Sequence, residues 1–392
     1  MKNILLSIIG IGRNQSGKGY IKTKYKFENG QTYETAFFGS ALYRYLSHEK
    51  TIDKWYIFGT DKSSWSEIID TIDEDYKNNL EELYYKVWDE ERSGISKNTL
   101  NEWQEKLSNY IPGIELINID PLDYKFYVEF LIKNLPDDEL YIILDITHGY
   151  RFMPFILSFS IMYIKNFKKI VDLDIYYGAL EMKGDEAPVI KIDFINELFK
   201  LTTSYEIYKY SGYFPEILKN LGIQNTENTY FQIEMNWRPQ KELKEITAKL
   251  DNIEESYKTL CAENIKKELQ PLLEKELLED RMIERAKYFF EKNQYLKSLI
   301  LIYEAITIRM LKRLGITKIH DIPNRKEFLR DKIPQILKEK WMQDNFKILE
   351  GVRNSAVHGN IRDSSLYQHI KDREKFSELF KSSLILYEKL KK

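Results

Sequence analysis

Cysteine is almost absent: Cys261 is the single one in 392 residues. That excludes a disulfide framework and any cysteine-based zinc site, and it suits a reducing cytoplasm. Long apolar runs are missing too. The most apolar stretch, Tyr141 to Ile164, is broken by Asp145, His148 and Arg151, and its longest piece is too short to cross a bilayer. No membrane partner is expected. The opening run Ile4 to Ile9 mimics a short signal peptide, but it lacks a small-residue cleavage pattern and leads into Gly10-Ile11-Gly12-Arg13. It reads instead as a buried first strand of a soluble, cytoplasmic protein. Repeats, low-complexity tracts and metal-ligand clusters do not stand out either.

Net charge is also small, at -2, and predicts no partner by itself. The balance is uneven along the chain, however. Residues 1–200 carry 24 Lys+Arg against 32 Asp+Glu, a net -8, and the remainder carries +6. A polyanion is expected to meet the basic back half.

What is present sorts into two patterns. Short apolar runs at Ile4–Ile9, Trp55–Phe58, Ile114–Ile119, Tyr141–Leu144, Leu173–Tyr177 and Val189–Ile192 read as strands. Several are continuous rather than alternating, as strands buried on both faces are. Helical stretches fall between them, at about Thr35–His48, Ser66–Asp89, Thr99–Asn109, Leu122–Leu135 and Phe152–Asn166. The alternation predicts a mostly parallel α/β sheet whose last two strands form a hairpin. Beyond about residue 195 strand signals stop. Ser211–Trp237 reads as a connector and nearly everything from Gln240 onward as helix. One helix stops at Gly315, another ends at Gly359-Asn360, and the last begins near Asp363-Ser364. The fold class expected is α/β followed by all-α, with domains at 1–200, 201–275 (a helical connector) and 276–392.

Ligands of such sheets gather beyond the carboxyl ends of the strands. Three loops there are polar and glycine-bearing. Asp145-Ile146-Thr147-His148-Gly149-Tyr150-Arg151 sits between a strand and a helix, where backbone N–H groups and the helix dipole favour an anion. Gly149 permits close approach, and Thr147 and His148 add donors. The same residues also fit a plainer arrangement, in which Asp145 caps the helix and His148 packs against a loop. Gly10-Ile11-Gly12-Arg13-Asn14 is an incomplete glycine motif with no Walker lysine. Gly59 to Trp65 adds Thr60 and Ser64, with Trp65 where a base could stack. Together the loops point to a nucleotide-like ligand.

In the back half, Arg353-Asn354-Ser355-Ala356-Val357-His358 closes the penultimate helix. A histidine at a helix C-terminus has its protonated form favoured by the dipole, which suits a general acid. An arginine holds phosphate bidentately and stabilises developing negative charge. These groups suffice in kind for metal-free RNA cleavage, although one set per chain is thin and a second copy would help. A surface Arg and His merely closing a helix is the alternative.

The DxTHG form of Asp145-Ile146-Thr147-His148-Gly149 resembles the CRISPR-associated Rossmann-fold (CARF) domains, and Arg353-Asn354…His358 resembles the R-x4-6-H element of HEPN ribonucleases. In this order and near this length, the pair is similar to ancillary ribonucleases of type III CRISPR systems. The resemblance implies a homodimer or higher oligomer that binds a cyclic oligoadenylate as allosteric activator across its two-fold axis. Asp145, Thr147, His148 and Gly149 would fall in the effector pocket, with Gly12, Thr60 and Ser64 as further liners. Arg353 and His358 would be catalytic and Asn354 supporting, acting on single-stranded RNA without a metal or other cofactor. Two other outcomes stay open: a CARF domain that also degrades its cyclic effector, and a nucleotide-sensing regulator with no nuclease activity.

Overall fold

The computed structural model describes residues 1–12, 20–182, 184–316, 325–359 and 364–391. They form two units, Met1–Asn196 and Glu197–Lys392. In the first, an eight-stranded sheet runs β3-β2-β8-β7-β6-β1-β4-β5. The strands are β1 (Lys2–Ile8), β2 (Thr23–Lys26), β3 (Thr32–Thr35), β4 (Lys54–Gly59), β5 (Ile114–Asn118), β6 (Leu140–Asp145), β7 (Ile170–Gly178) and β8 (Ala187–Lys191). The five from β7 to β5 are mutually parallel. β8 returns antiparallel on β7, which gives the predicted closing hairpin.

The apolar runs form strands because the middle of the sheet is covered on both sides. Ile4, Leu5, Leu6 and Ile8 of β1 are all fully buried. Leu5 faces one core layer with Trp55, Trp65 and Trp103, while Ile4, Leu6 and Ile8 face another with Phe58, Tyr127 and Leu157. A strand between two such layers needs no polar face, so alternation disappears from its sequence.

Several expectations change. The hairpin of β2 and β3 extends the sheet where no strand is predicted. Its four-residue strands are mostly polar, and only their inward side chains, such as Tyr25, are buried. The predicted helix Ser66–Asp89 is broken into a 3-10 turn, Trp65–Thr71, and short helices that end in Glu81–Glu90. The connector Ser211–Trp237 contains the helices Pro215–Asn220 and Glu227–Glu234. The last long helix is Arg373–Lys391 rather than one starting near Ser364. Asp372 Oδ1 accepts the N–H groups of Glu374 at 2.8 Å and Lys375 at 3.2 Å, so the cap lies there. Asp363, the other half of the expected start, and Asn360 lie outside the described residues.

The second unit is all helix around one continuous core, from Leu201 to Leu390. Segment 201–275 contributes Phe214, Ile217, Ile265 and Leu269 to that core, so it packs as part of the same bundle as 276–392. Tyr295–Arg313 runs through its middle with eleven buried residues. Among the described residues, no helix is long and apolar enough to cross a membrane.

Candidate functional site

The loops after β1, β4 and β6 meet at one edge of the front sheet and enclose a cavity of about 300 Å³. Ile9, Gly10, Ile11, Tyr20, Thr60, Ser63, Thr147, His148, Gly149, Tyr150 and Met153 line it. Two glycines set its depth. Gly149 has φ +89°, and a Cβ there would lie 2.4 Å from Ile8 Cγ2. A Cβ on Gly10 would lie 2.8 Å from the Gly149 backbone, so the two loops touch main chain to main chain. Only glycine allows both.

Hydrogen bonds tie the loops around the cavity together. Thr147 N–H donates to Asp145 Oδ1 at 2.9 Å, which turns the chain sharply after β6. Thr147 Oγ1 accepts the Gly178 N–H at 2.9 Å and ties the turn to the end of β7. Ser63 Oγ donates to the Ile9 carbonyl at 2.9 Å and accepts the Thr60 N–H at 2.8 Å, which joins the loops after β1 and β4. Tyr20 Oη accepts the Gly10 N–H at 2.8 Å, and Glu67 accepts the Tyr20 N–H at 3.2 Å. Among the described residues, the N–H groups of His148 and Gly149 carry no hydrogen bond and border the cavity.

Electrostatics follow from burial. His148 is 6% exposed, with Tyr20 at 4.3 Å and Phe37 at 5.5 Å between ring centroids. Desolvation pushes its pKa down to about 3, so the ring is neutral near pH 7. Its Nε2 accepts the Phe38 N–H at 3.1 Å, which assigns the ring proton to Nδ1. Burial drives the Asp145 acid the other way, up to about 7, against the hydrogen bonds from Thr147 and Ser7 that stabilise its charge. Glu67 is also raised to about 7 by burial. The negative charge of this domain is thus muted where the cavity opens.

Of the sequence-predicted residues, Thr60, Thr147, His148 and Gly149 line the cavity. Asp145 lies beneath it, fully buried, as the support of the turn. Gly12 and Ser64 stand behind the lining and bond to each other, Gly12 N–H to Ser64 Oγ at 3.1 Å. Trp65 does not offer a stacking face. It is fully buried, and its indole N–H donates to the Thr60 carbonyl at 2.9 Å. Tyr20, Ser63 and Tyr150 are lining residues that the sequence does not single out. A serine one position from Ser64 was within reach of pattern reasoning; Tyr20 enters only through tertiary packing.

In the back unit, Arg353, Asn354 and His358 occupy the last turns of Lys340–His358, and Gly359 ends that helix with φ +65°. Arg353 Nη1 donates to Asn354 Oδ1 at 3.0 Å. Its guanidinium lies 5.2 Å from the Tyr303 ring centre and 3.9 Å from Glu304. Arg325 pairs more closely with Glu304, at 2.9 Å, so Arg353 has only a share of that carboxylate. Arg353 Nε is buried without a partner. His358 is exposed at the helix end. Five positions apart on a helix means about 7.5 Å along the axis and about 140° around it. The two side chains therefore leave the helix in different directions, although a long arginine can swing back and Gly359 ends the helix beside His358. Among the described residues, no cluster of three or more His, Cys, Asp or Glu side chains is suited to a metal ion.

Residues 4–181 match the family model described as CRISPR system endoribonuclease Csx1, CARF domain. The front unit is thus similar to the CARF domains of CRISPR-associated proteins. The whole chain is 22% identical to the CRISPR-associated protein MJ1674 of Methanocaldococcus jannaschii, over 92% of its own length and 63% of that relative's. The chain therefore spans less than two thirds of this curated relative. Among solved structures it is similar to Enterococcus italicus Csm6 bound to cyclic hexa-2'-fluoro-hexa-dAMP. The TM-score is 0.40 and the identity 11%, covering 100% of this chain and 94% of that one.

Proposed function

We propose that this protein is a cyclic-oligoadenylate-activated endoribonuclease that cleaves single-stranded RNA without a metal, as an ancillary protein of type III CRISPR defence. One observation carries the reading. A glycine-built cavity around Thr147, His148 and Gly149 and an Arg353-Asn354…His358 helix end occur in one chain whose front domain matches the Csx1 CARF model.

The cavity suits an adenylate effector. The N–H groups of His148 and Gly149 offer charge-independent donors to phosphate, and the neutral His148 ring adds an Nδ1–H donor. Tyr20 and Tyr150 supply aromatic surface. The helix that follows, Phe152–Ile164, exposes Phe155, Phe159 and Tyr163 at four-residue spacing, with Phe167 just beyond. An unpartnered aromatic stripe leading out of the effector loop supports pairing of two copies there.

At the back site, the RNA 2'-hydroxyl attacks the adjacent phosphorus while a general base, a role open to the second copy's histidine or to solvent, takes its proton. The P–O5' bond breaks, and the leaving oxygen takes a proton from His358. Arg353 stabilises the negative charge that builds on the phosphoryl oxygens, with Asn354 holding its Nη1. The products are a 2',3'-cyclic phosphate and a 5'-hydroxyl. One arginine and one histidine per chain are thin for this chemistry, and a second copy's set would complete the site. Effector binding activates by favouring one dimer arrangement over another, and it does so only as far as its affinities for the two differ.

A fluorogenic RNA assay in EDTA, run against a panel of cyclic oligoadenylates, tests the proposal. Effector-dependent cleavage that vanishes in His358→Ala is expected. Absence of cleavage at every effector concentration would leave a nucleotide-sensing regulator instead. Linear oligoadenylates appearing with His358→Ala present would add effector degradation by the front domain.

A further inference from the structure

Away from Arg353, the turn at Asn236–Pro239 and the helix Leu278–Glu291 gather three guanidinium groups. Arg281 and Arg285 lie one helical turn apart on one face. Arg285, 3% exposed, donates from Nη1 to Asn236 Oδ1 at 2.6 Å and from Nη2 to the Trp237 carbonyl. Arg238 follows directly in the chain. Its Nη2 reaches the Lys275 carbonyl at 3.4 Å, and its Nε is buried with no partner. Glu279, a carboxylate on the same helix, is already held by Arg309 at 3.1 Å and Lys312 at 2.7 Å.

Like charges gathered this way repel, and each guanidinium gains from an anion that bridges them. Burial, with the charges of Arg281 and Arg238, lowers the Arg285 pKa to about 10. Beside the three, Trp237 has its carbonyl pinned by Arg285 while the residue is 67% exposed. A fixed backbone with an open indole next to unneutralised arginines combines the two elements that bind single strands: a stacking platform and a phosphate clamp.

We propose that this turn is a second RNA-contacting site, in which Arg238 and Arg281 hold a backbone phosphate and Trp237 stacks on the neighbouring base. It rests on single-stranded RNA being the substrate, and it uses none of the residues proposed to cut the bond. Arg285 is the internal brace that positions Trp237 and does not contact RNA.

The test uses the full chain carrying His358→Ala, a short fluorescein-labelled oligouridylate and fluorescence anisotropy over a salt series. Adding Trp237→Ala weakens binding about tenfold, and Trp237→Phe restores most of it. Arg281→Gln makes the slope of log affinity against log salt shallower by about 0.7, one phosphate contact on a single strand. In the cleaving protein, Trp237→Ala raises KM with kcat unchanged. Unchanged affinity and slope in both variants overturn the proposal. So does a Trp237→Ala protein whose loss is in sedimenting mass rather than RNA affinity, which would assign the turn to self-association. RNA binding that responds as expected in a chain that cleaves nothing would sustain this site while removing the nuclease reading.

Discussion

Around the front cavity, His148, Ser63 and Thr147 are tied to neighbouring loops, and the buried ionisable groups are largely stripped of charge. His148 is neutral and anchored to the Phe38 N–H, Asp145 is buried beneath its own turn, and Ser63 and Thr147 tie one loop to the next. At the end of Lys340–His358 the reverse holds. Arg353 has a distant share of Glu304 and an unpartnered Nε, and His358 stands exposed. A pocket that must select one ligand gains from rigidity, because little ordering is left to do on binding. A site completed by a second copy gains from reach, because its groups must meet across an interface. On the proposed reading, recognition falls to the front unit and chemistry to the back unit along those lines.

The largest effect that could break this division comes from His358→Ala. RNA cleavage should fall by about 10²–10⁴-fold, the usual worth of a general acid. Effector affinity measured by calorimetry should stay unchanged. A matching loss of effector binding would mean that the two sites are not separable. Gly149→Ala probes the opposite end. Its Cβ would meet Ile8 Cγ2 at 2.4 Å in a left-handed backbone, and a cost of about 2–3 kcal/mol in urea unfolding is expected.

The charge muting at the front site has a pH signature. The Asp145 acid titrates near 7 in the folded state and near 3.8 otherwise, so the folded protein holds the extra proton between those values. Its contribution to stability therefore falls as pH rises through that window. Asp145→Asn keeps the acceptor for Thr147 and removes the titration. Its stability relative to the parent should climb with pH between about 4 and 7, by about 4 kcal/mol. His148 acts in the other sense, since the unfolded ring takes up a proton first as pH falls from 6.5 toward 3. A difference curve between the two proteins removes that background. The smallest change is expected from Thr147→Val, which takes the acceptor from the Gly178 N–H. Effector affinity should weaken by about 1 kcal/mol, with maximal RNA cleavage at saturating effector intact.

Six strands were legible from short apolar runs, several of them continuous, and the loops that build the cavity follow directly from that order. The β2–β3 hairpin was hidden because its four-residue strands bury only alternate side chains. Trp65 shows the other limit. A tryptophan in a polar loop has the same letters whether it meets solvent or core, and here Trp103 donates its indole N–H to the Trp65 carbonyl from within the core. Tyr20 could not be seen at all, because its place beside Gly10 and His148 is set by tertiary packing. The Arg353…His358 element was legible as a spacing, but its loose pairing with Glu304 comes from a helix about fifty positions away in the sequence.

The contact between Gly10 and Gly149 has a mechanical consequence. With main chain against main chain there is no slack between the loops after β1 and β6, so neither can shift without carrying the other. Gly149 lies three residues before the helix with the exposed aromatic stripe. On the proposed reading, an effector that shifts the Gly149 turn would also shift the start of the helix that carries Phe155, Phe159 and Tyr163. Side chains at either glycine would put a cushion in that linkage, and a cushioned linkage conveys force poorly.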